Sequence, residues 1–209
     1  MQQGTQEWLQ ARCGRFTASR MADLTAKTKS GPSASRKNYL AELLIERMTD
    51  TPTDTFTSAA MQWGTDNEPE ARRLYELAHF VTVDEVGFIR HPVYDYAGAS
   101  PDGLIGSDGA IEIKCPNTAT HIDTLRSRKV PDKYYKQIQW VLDCTQRDWC
   151  DFVSYDPRMK HQRLVMFVTR VARDDNMIEA LRNEVEAAET ELRQLVDEVT
   201  AIAEGSNDT

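Results

Sequence analysis

Apolar residues recur at helical spacing over Tyr39–Met48, where Leu40, Leu43, Leu44 and Met48 share a face and Ser35 offers a cap. Upstream, Ala11–Leu24 reads as a short approach and a helix start, with Thr17 or Ser19 as N-cap. Thr25–Lys37 is rich in Ser, Thr, Gly and Pro and reads as a loop. A helix over Asp66–Ala78 is followed by a strand near Val81–Ile89. Tyr96–Leu104 and Ala110–Cys115 form two strands joined by a turn at Gly106–Gly109, whose Ser-Asp-Gly carries turn chemistry. Pro131 opens a helix through Tyr134, Tyr135, Ile138 and Leu142, and Trp149–Tyr155 and Leu164–Val171 are two further strands. Strands interleaved with helices predict an α/β fold, a mixed central β-sheet flanked by helices. The last element has a different rhythm. Ile178, Leu181, Val185, Ala188, Leu192, Leu195, Val199 and Ile202 alternate steps of three and four, a heptad-like seam. Such a helix either packs back on the domain or meets another chain.

The 209 residues suffice for one domain with a real core, and 40% hydrophobic with 28% charged residues is ordinary for a globular protein. No run of about 18 apolar residues predicts a membrane span, and the first residues lack the hydrophobic stretch of a secretory signal. Cys13, Cys115, Cys144 and Cys150 show no CxxC spacing, so reduced thiols in a cytoplasm are the simplest reading. Nor do His79, His91, His121 and His161 have zinc spacing, and no GxxxxGK[ST] loop points to a motor.

A net charge of −8 argues against a nucleic-acid partner until it is divided along the chain. Residues 174–209 hold eleven acids and two bases, so residues 1–173, with 23 bases and 22 acids, are near neutral. Two units follow: a body over 1–173 and an acidic C-terminal helix and tail over 174–209. Lys27, Lys29, Arg36 and Lys37 make the Thr25–Lys37 loop basic enough to lie near phosphates, although a solvated surface loop explains them equally well. The acidic helix is expected away from any such substrate.

The chemistry concentrates in Ser100-Pro101-Asp102-Gly103-Leu104 and Ile111-Glu112-Ile113-Lys114. Alternate strand residues share a face, so Glu112 and Lys114 point one way while Ile111 and Ile113 bury on the other. The intervening turn brings Asp102 back opposite Glu112. Two close carboxylates repel unless a positive charge lies between them, and Mg²⁺ supplies one, with Mn²⁺ an alternative. Lys114 would orient an attacking water or stabilise charge developing on a phosphate. Either half alone is equally a surface hairpin with one salt bridge; the two together favour a site.

Pro-Asp, nine residues, then Glu-x-Lys resembles the PD-(D/E)xK nuclease motif. Around it lie Arg12-x-Gly14-x-x-Thr17-Ala18-Ser19, Trp63-Gly64-x-x-x-Glu68, Gln137-x-Gln139 and Tyr155-Asp156-Pro157-Arg158-Met159-Lys160. That ordered set resembles the lambda-exonuclease (YqaJ-like viral recombinase) family. The resemblance implies a restriction-endonuclease-like nuclease domain over 1–173. In it Asp102, Glu112, the Ile113 main-chain carbonyl and Glu68 would bind metal, with Lys114 catalytic. Glu68 also fits a capping box with Thr65 at a helix start, and the two roles need not compete. The family further implies a 5′-phosphate pocket from Arg12, Ser19, Ser100 and Gln137. Without it, Arg12 would be a surface charge and Gln137 an exposed helix residue. Met61 is either a wedge between terminal bases or, as its apolar surroundings favour, core. The implied activity is a Mg²⁺-dependent 5′-to-3′ exonuclease on double-stranded DNA ends, working as a ring-shaped homotrimer beside a single-strand annealing recombinase. An endonuclease on the same core, or an inactive DNA-end-binding module, is the alternative.

Overall fold

Strand β8 (Gly109–Lys114), carrying the Glu-x-Lys word, lies at the centre of a five-stranded sheet whose order is β10 (Met166–Ala172), β9 (Trp149–Tyr155), β8, β7 (Gly103–Ile105), β4 (Val83–Asp84). The computed structural model describes residues 1–29, 31–53 and 58–205; Ser30 of the basic segment and residues 206–209 of the acidic tail lie outside that range. In chain order the elements are α1 (Gln6–Arg12), β1 (Phe16–Thr17), a 3-10 turn (Ala18–Arg20), α2 (Met21–Leu24), β2 (Lys27–Thr28), β3 (Gly31–Pro32), α3 (Ala34–Thr49), α4 (Ala59–His79), β4 (Val83–Asp84), β5 (Ile89–Arg90) and β6 (Ala97–Ala99). There follow β7 (Gly103–Ile105), β8 (Gly109–Lys114), α5 (Thr118–Ser127), α6 (Asp132–Thr145), β9 (Trp149–Tyr155), a second 3-10 turn (Gln162–Leu164), β10 (Met166–Ala172) and α7 (Asp175–Gly205).

The β8–β9 pair is parallel, joined through α5 and α6, and the sheet's other pairings are antiparallel, so the sheet is mixed as expected. Alternation along β8 divides the core. Ala110 packs with Phe152, Ile138, Trp140 and the inner residues of α7 on one face. Ile111 and Ile113 pack with Ala71 and Tyr75 of α4 and with Val153 on the other.

Several expected boundaries moved. The first long helix begins at Ala34, capped by Ser33 rather than Ser35. Neither Thr17 nor Ser19 caps a helix; α2 starts at Met21 without a side-chain cap. The expected strand Val81–Ile89 divides into β4 and β5, which belong to different sheets, and Tyr96–Leu104 divides into β6 and β7. The second break falls at Ser100–Asp102, where Pro101 has no N–H to give a ladder. Two helices, α1 and α5, had no hydrophobic stripe to announce them. The inner face of α5 is His121 and Thr124: the imidazole is held by Ser154 Oγ at 2.8 Å and the Leu164 carbonyl at 2.7 Å.

Helix α7 packs back on the body. Ile178, Leu181, Val185 and Leu192 are buried against α2, α3 and α6, each contributing about 1.5–3 kcal/mol. Beyond Leu195 the seam emerges, with Val199 and Ile202 exposed. Its acids pair with the body's bases: Glu184 with Lys27, Glu191 with Arg36, and Glu189 with Arg47. This corrects the reading of the Thr25–Lys37 loop, since Lys27 and Arg36 are engaged by α7 and part of the loop is the β2–β3 hairpin.

Candidate active site

Strand β7 ends its pairing at Gly103, opposite Ile111, so β8 continues for three residues without a neighbour on that side. Residues two apart on a strand present their backbone groups to the same side, so the N–H and C=O of Ile113 face the gap. Asp102 fills it: its Oδ2 accepts a hydrogen bond from Ile113 N at 2.6 Å. The Pro-Asp-Gly break therefore turns the Asp102 carboxylate onto the strand that carries Glu112 and Lys114.

Glu112 is fully buried between the sheet and α6. Its Oε1 accepts from Gln137 Nε2 at 2.5 Å and contacts Lys114 Nζ, while Oε2 is buried without a hydrogen-bond partner among the described residues. Lys114 lies 5.3 Å from the centre of the Tyr134 ring, which stacks on Phe152. Glu68 reaches the same place from α4, steered by Arg72, which donates to Glu68 Oε1 at 2.6 Å and to the Asp102 carbonyl at 3.3 Å.

Three carboxylates in a small, poorly solvated volume penalise one another's charge. Burial and then the charge of Asp102 push Glu68 up to about 7. Glu112 is pushed up to about 8 by burial, with Asp102 adding to the shift and Lys114 opposing it. Asp102 is also raised, by burial, against the pull of Lys114 and the Ile113 N–H. Burial alone would lower Lys114, but Glu112 and Asp102 outweigh it and hold the ammonium charged.

This donor set fits a hard divalent cation. It offers oxygen only, carries surplus negative charge, and leaves a buried Glu112 oxygen open. Among the described residues no three His, Cys, Asp or Glu side chains converge tightly enough to enclose an ion. Mg²⁺ does not need such a cage, because it keeps several waters and is held through one or two carboxylates.

The residues expected to bind phosphate are brought together only in part. Arg12 ends α1 with its guanidinium 4.0 Å over the Trp8 ring, and Trp8 Nε1 donates to Ser100 Oγ at 3.0 Å. Burial lowers Arg12, against the attraction of Tyr39 and Glu46. Ser19 is exposed on its turn, and no hydrogen bond among the described residues joins it to Arg12. Gln137 is buried on Glu112, not exposed as a helix pattern alone suggests. Met61 is 54% exposed on the first turns of α4, which overturns its reading as core. The capping box at Glu68 also fails: α4 starts at Ala59 with Ser58 as its cap, Thr65 Oγ1 donates to the Met61 carbonyl, and Glu68 is mid-helix. Trp8, Arg72 and Tyr134 were not singled out by sequence reasoning. Two of them had a signal, being one helical turn from Arg12 and from Glu68.

A mixed sheet whose central strand carries Glu-x-Lys, with an aspartate turned in from the neighbouring strand break, is the architecture of the restriction-endonuclease-like nucleases. The YqaJ-like viral recombinase domain matches residues 7–148, and the chain belongs to that family. An alkaline exonuclease (LHK-Exo) from Laribacter hongkongensis is 46% identical over 96% of this chain and 99% of its own, with a TM-score of 0.90. The same relative in complex with dAMP aligns equally well, at 46% identity, the same coverage and TM-score 0.90. A phage related exonuclease from Haemophilus somnus 129PT shares the fold at TM-score 0.71 and 13% identity, over 88% of this chain and 96% of its own. No curated protein sequence matches the chain. The family and the near-complete correspondence to an exonuclease make this chain an enzyme of the nuclease class.

Proposed function

We propose that the protein is a Mg²⁺-dependent exonuclease that degrades one strand of double-stranded DNA from its 5′-phosphorylated end and leaves a 3′ single strand. The observation that carries this reading is the cluster of Glu68, Asp102 and Glu112 around Lys114, with one Glu112 oxygen buried and open. Asp102, Glu112 and the Ile113 carbonyl would hold the ion, supported by Glu68. Bound there, Mg²⁺ supplies the positive charge the carboxylates lack and acidifies water for attack on phosphorus. Mn²⁺ satisfies the same donors. Lys114, kept charged by its neighbours, positions the nucleophile and steadies negative charge on the phosphate. Gln137 engages Glu112 Oε1, so Oε2 is the oxygen that would be left to bind the ion.

Polarity is assigned from Arg12. Its guanidinium is desolvated, has no ion pair among the described residues, and is linked through Trp8 to Ser100 beside Asp102. A terminal 5′-phosphate supplies the missing charge, with Ser19, Ser100 and Gln137 the further donors the family resemblance implies. Met61 would be the wedge that parts the terminal pair, a reading its exposure supports. The same resemblance supports a ring-shaped homotrimer acting beside a single-strand annealing recombinase in the cytoplasm. No helix among the described residues is long and apolar enough to cross a membrane.

The test is digestion of linear duplex DNA with 5′-phosphate or 5′-hydroxyl ends, with and without Mg²⁺, alongside Lys114→Ala. Mononucleotides released faster from the phosphorylated end, and lost in the variant, are the expected result. Cutting of closed circles would establish the endonuclease instead. Tight end binding without product in either metal would leave only a binding module.

A further inference from the structure

Two of the words that carry the family resemblance, Trp63-Gly64 and Tyr155-Asp156-Pro157-Arg158, supply no residue to the carboxylate cluster, yet they meet each other in space. Arg158 lies with its guanidinium 4.2 Å over the Trp63 ring. It is held there by fully buried Asp156, whose Oδ1 accepts from Arg158 N at 2.9 Å and Nε at 2.7 Å and whose Oδ2 accepts from Nη2 at 3.0 Å. Arg158 Nη2 also donates to the Pro116 carbonyl at 3.0 Å, two residues past Lys114. One guanidinium thus joins the end of β9, the exit of β8 and helix α4.

That junction matters because of how α4 is built. The buried residues of α4 are Ala71 and Tyr75, both beyond Pro69. Pro69 has no N–H to give the Thr65 carbonyl, so the hydrogen-bond ladder is interrupted where the two halves of the helix join. The first half, which carries Met61 and Glu68, has no fully buried side chain of its own. Its apolar attachment to the core is Trp63, packed against the buried cluster that includes Cys115 and Tyr155. The indole Nε1 is buried with no hydrogen-bond partner among the described residues, so the ring is kept in place by its faces and not by its N–H. A cation over an indole face is the strongest of the cation–π pairs.

We propose that Arg158, locked by Asp156, is a positioning residue that clamps Trp63 and thereby holds the first half of α4 with Glu68 turned toward Asp102. The inference rests on the nuclease reading above. Loss of the clamp frees that half of the helix without touching Asp102, Glu112 or Lys114, so the demand for Mg²⁺ rises while turnover at saturating metal is largely kept.

The experiment compares wild type, Arg158→Ala, Trp63→Ala and the double variant, with Arg158→Lys and Trp63→Phe as milder changes should either truncation fail to fold. Three readouts are taken: the Mg²⁺ concentration for half-maximal digestion, amide hydrogen exchange along α4 in the metal-free protein, and DNA-end binding against salt in Ca²⁺. Each single truncation is expected to raise the Mg²⁺ requirement about tenfold and to speed exchange over residues 60–68 but not over 71–79. The double variant is expected to be no worse than either single one, because both remove the same contact. Trp63→Phe keeps a ring face and should retain most of the wild-type value. Additive effects, unchanged exchange in α4, or weaker DNA binding with a shallower salt slope for Arg158→Ala would overturn the proposal, the last by making Arg158 a phosphate contact. Wild-type protein that digests no DNA would instead refute the nuclease reading itself.

Discussion

Asp143 is fully buried where α6 meets α7 and the β5–β6 connection, and both of its oxygens are engaged by cationic groups. Oδ1 accepts from Arg182 Nη2 at 2.6 Å and Arg173 Nη2 at 3.2 Å. Oδ2 accepts from Arg182 Nε at 2.8 Å and shares a hydrogen bond of 2.9 Å with His91 Nε2. Asp143→Asn keeps the shape, removes the charge, and replaces one acceptor with a donor facing other donors. Removing one partner of a buried ion pair costs roughly 3–5 kcal/mol. Here Arg182 and Arg173 have side chains 37% and 21% exposed, so water recovers part of that cost. The expected loss is therefore at the low end, about 3 kcal/mol. For a chain of this length it lowers Tm by roughly 6–12 °C. Burial alone would raise Asp143, but the hydrogen bonds from His91 and Arg182 outweigh it and hold the carboxyl well below the usual range. A depressed carboxylate stabilises above its unfolded pKa, about 3.9, and the contribution is lost as pH falls toward the folded value. The gap between wild type and variant should thus be constant from pH 7 to about pH 5 and close only below about pH 4. Urea unfolding followed by circular dichroism across this range measures it. A gap under about 0.5 kcal/mol at pH 7 would refute the reasoning, as would one that widens on acidification.

Arg12→Ala should cut the preference for 5′-phosphorylated over hydroxyl ends about tenfold or more, the worth of a charge-assisted contact. Initial rates on the two substrates measure it, and an equal loss on both would remove Arg12 from the phosphate pocket. Met61→Ala should leave Tm within about 1 °C, because the side chain is largely exposed, and slow digestion of blunt ends more than of ends already unpaired. Equal slowing on both would end the wedge assignment. Truncation after Gln194 should preserve the fold, whereas removal of α7 from Asp175 strips Ile178, Leu181, Val185 and Leu192 from the core and should abolish cooperative unfolding. A folded protein lacking all of α7 would contradict its packing role. Annealing-partner binding by the shorter truncation would show that Val199 and Ile202 are not that contact.

What could be read from the sequence was local and periodic. The alternation of Ile111, Glu112, Ile113 and Lys114 determined which side chains share a face, because a strand offers only two. The heptad steps from Ile178 likewise determined a long amphipathic helix, and the strands around Asp102 and Glu112 placed two carboxylates near a lysine. Tertiary structure decided what those periodicities face. Whether the α7 seam met this chain or another depended on the surfaces of α2, α3 and α6. The bases of Thr25–Lys37 looked available to phosphate until Glu184 and Glu191, more than 150 residues away, came beside Lys27 and Arg36. Helix α5 has no hydrophobic stripe because its inward side chains are polar, and His121 gains its partners only from β9 and the turn before β10. Gln137 became a partner of Glu112, and Arg158 a cover for Trp63, through contacts that no spacing along the chain encodes. Hydrophobic period is a property of neighbours in sequence; hydrogen bonds, ion pairs and the crowding that raises Glu68 and Glu112 depend on distances that exist only after the chain has folded.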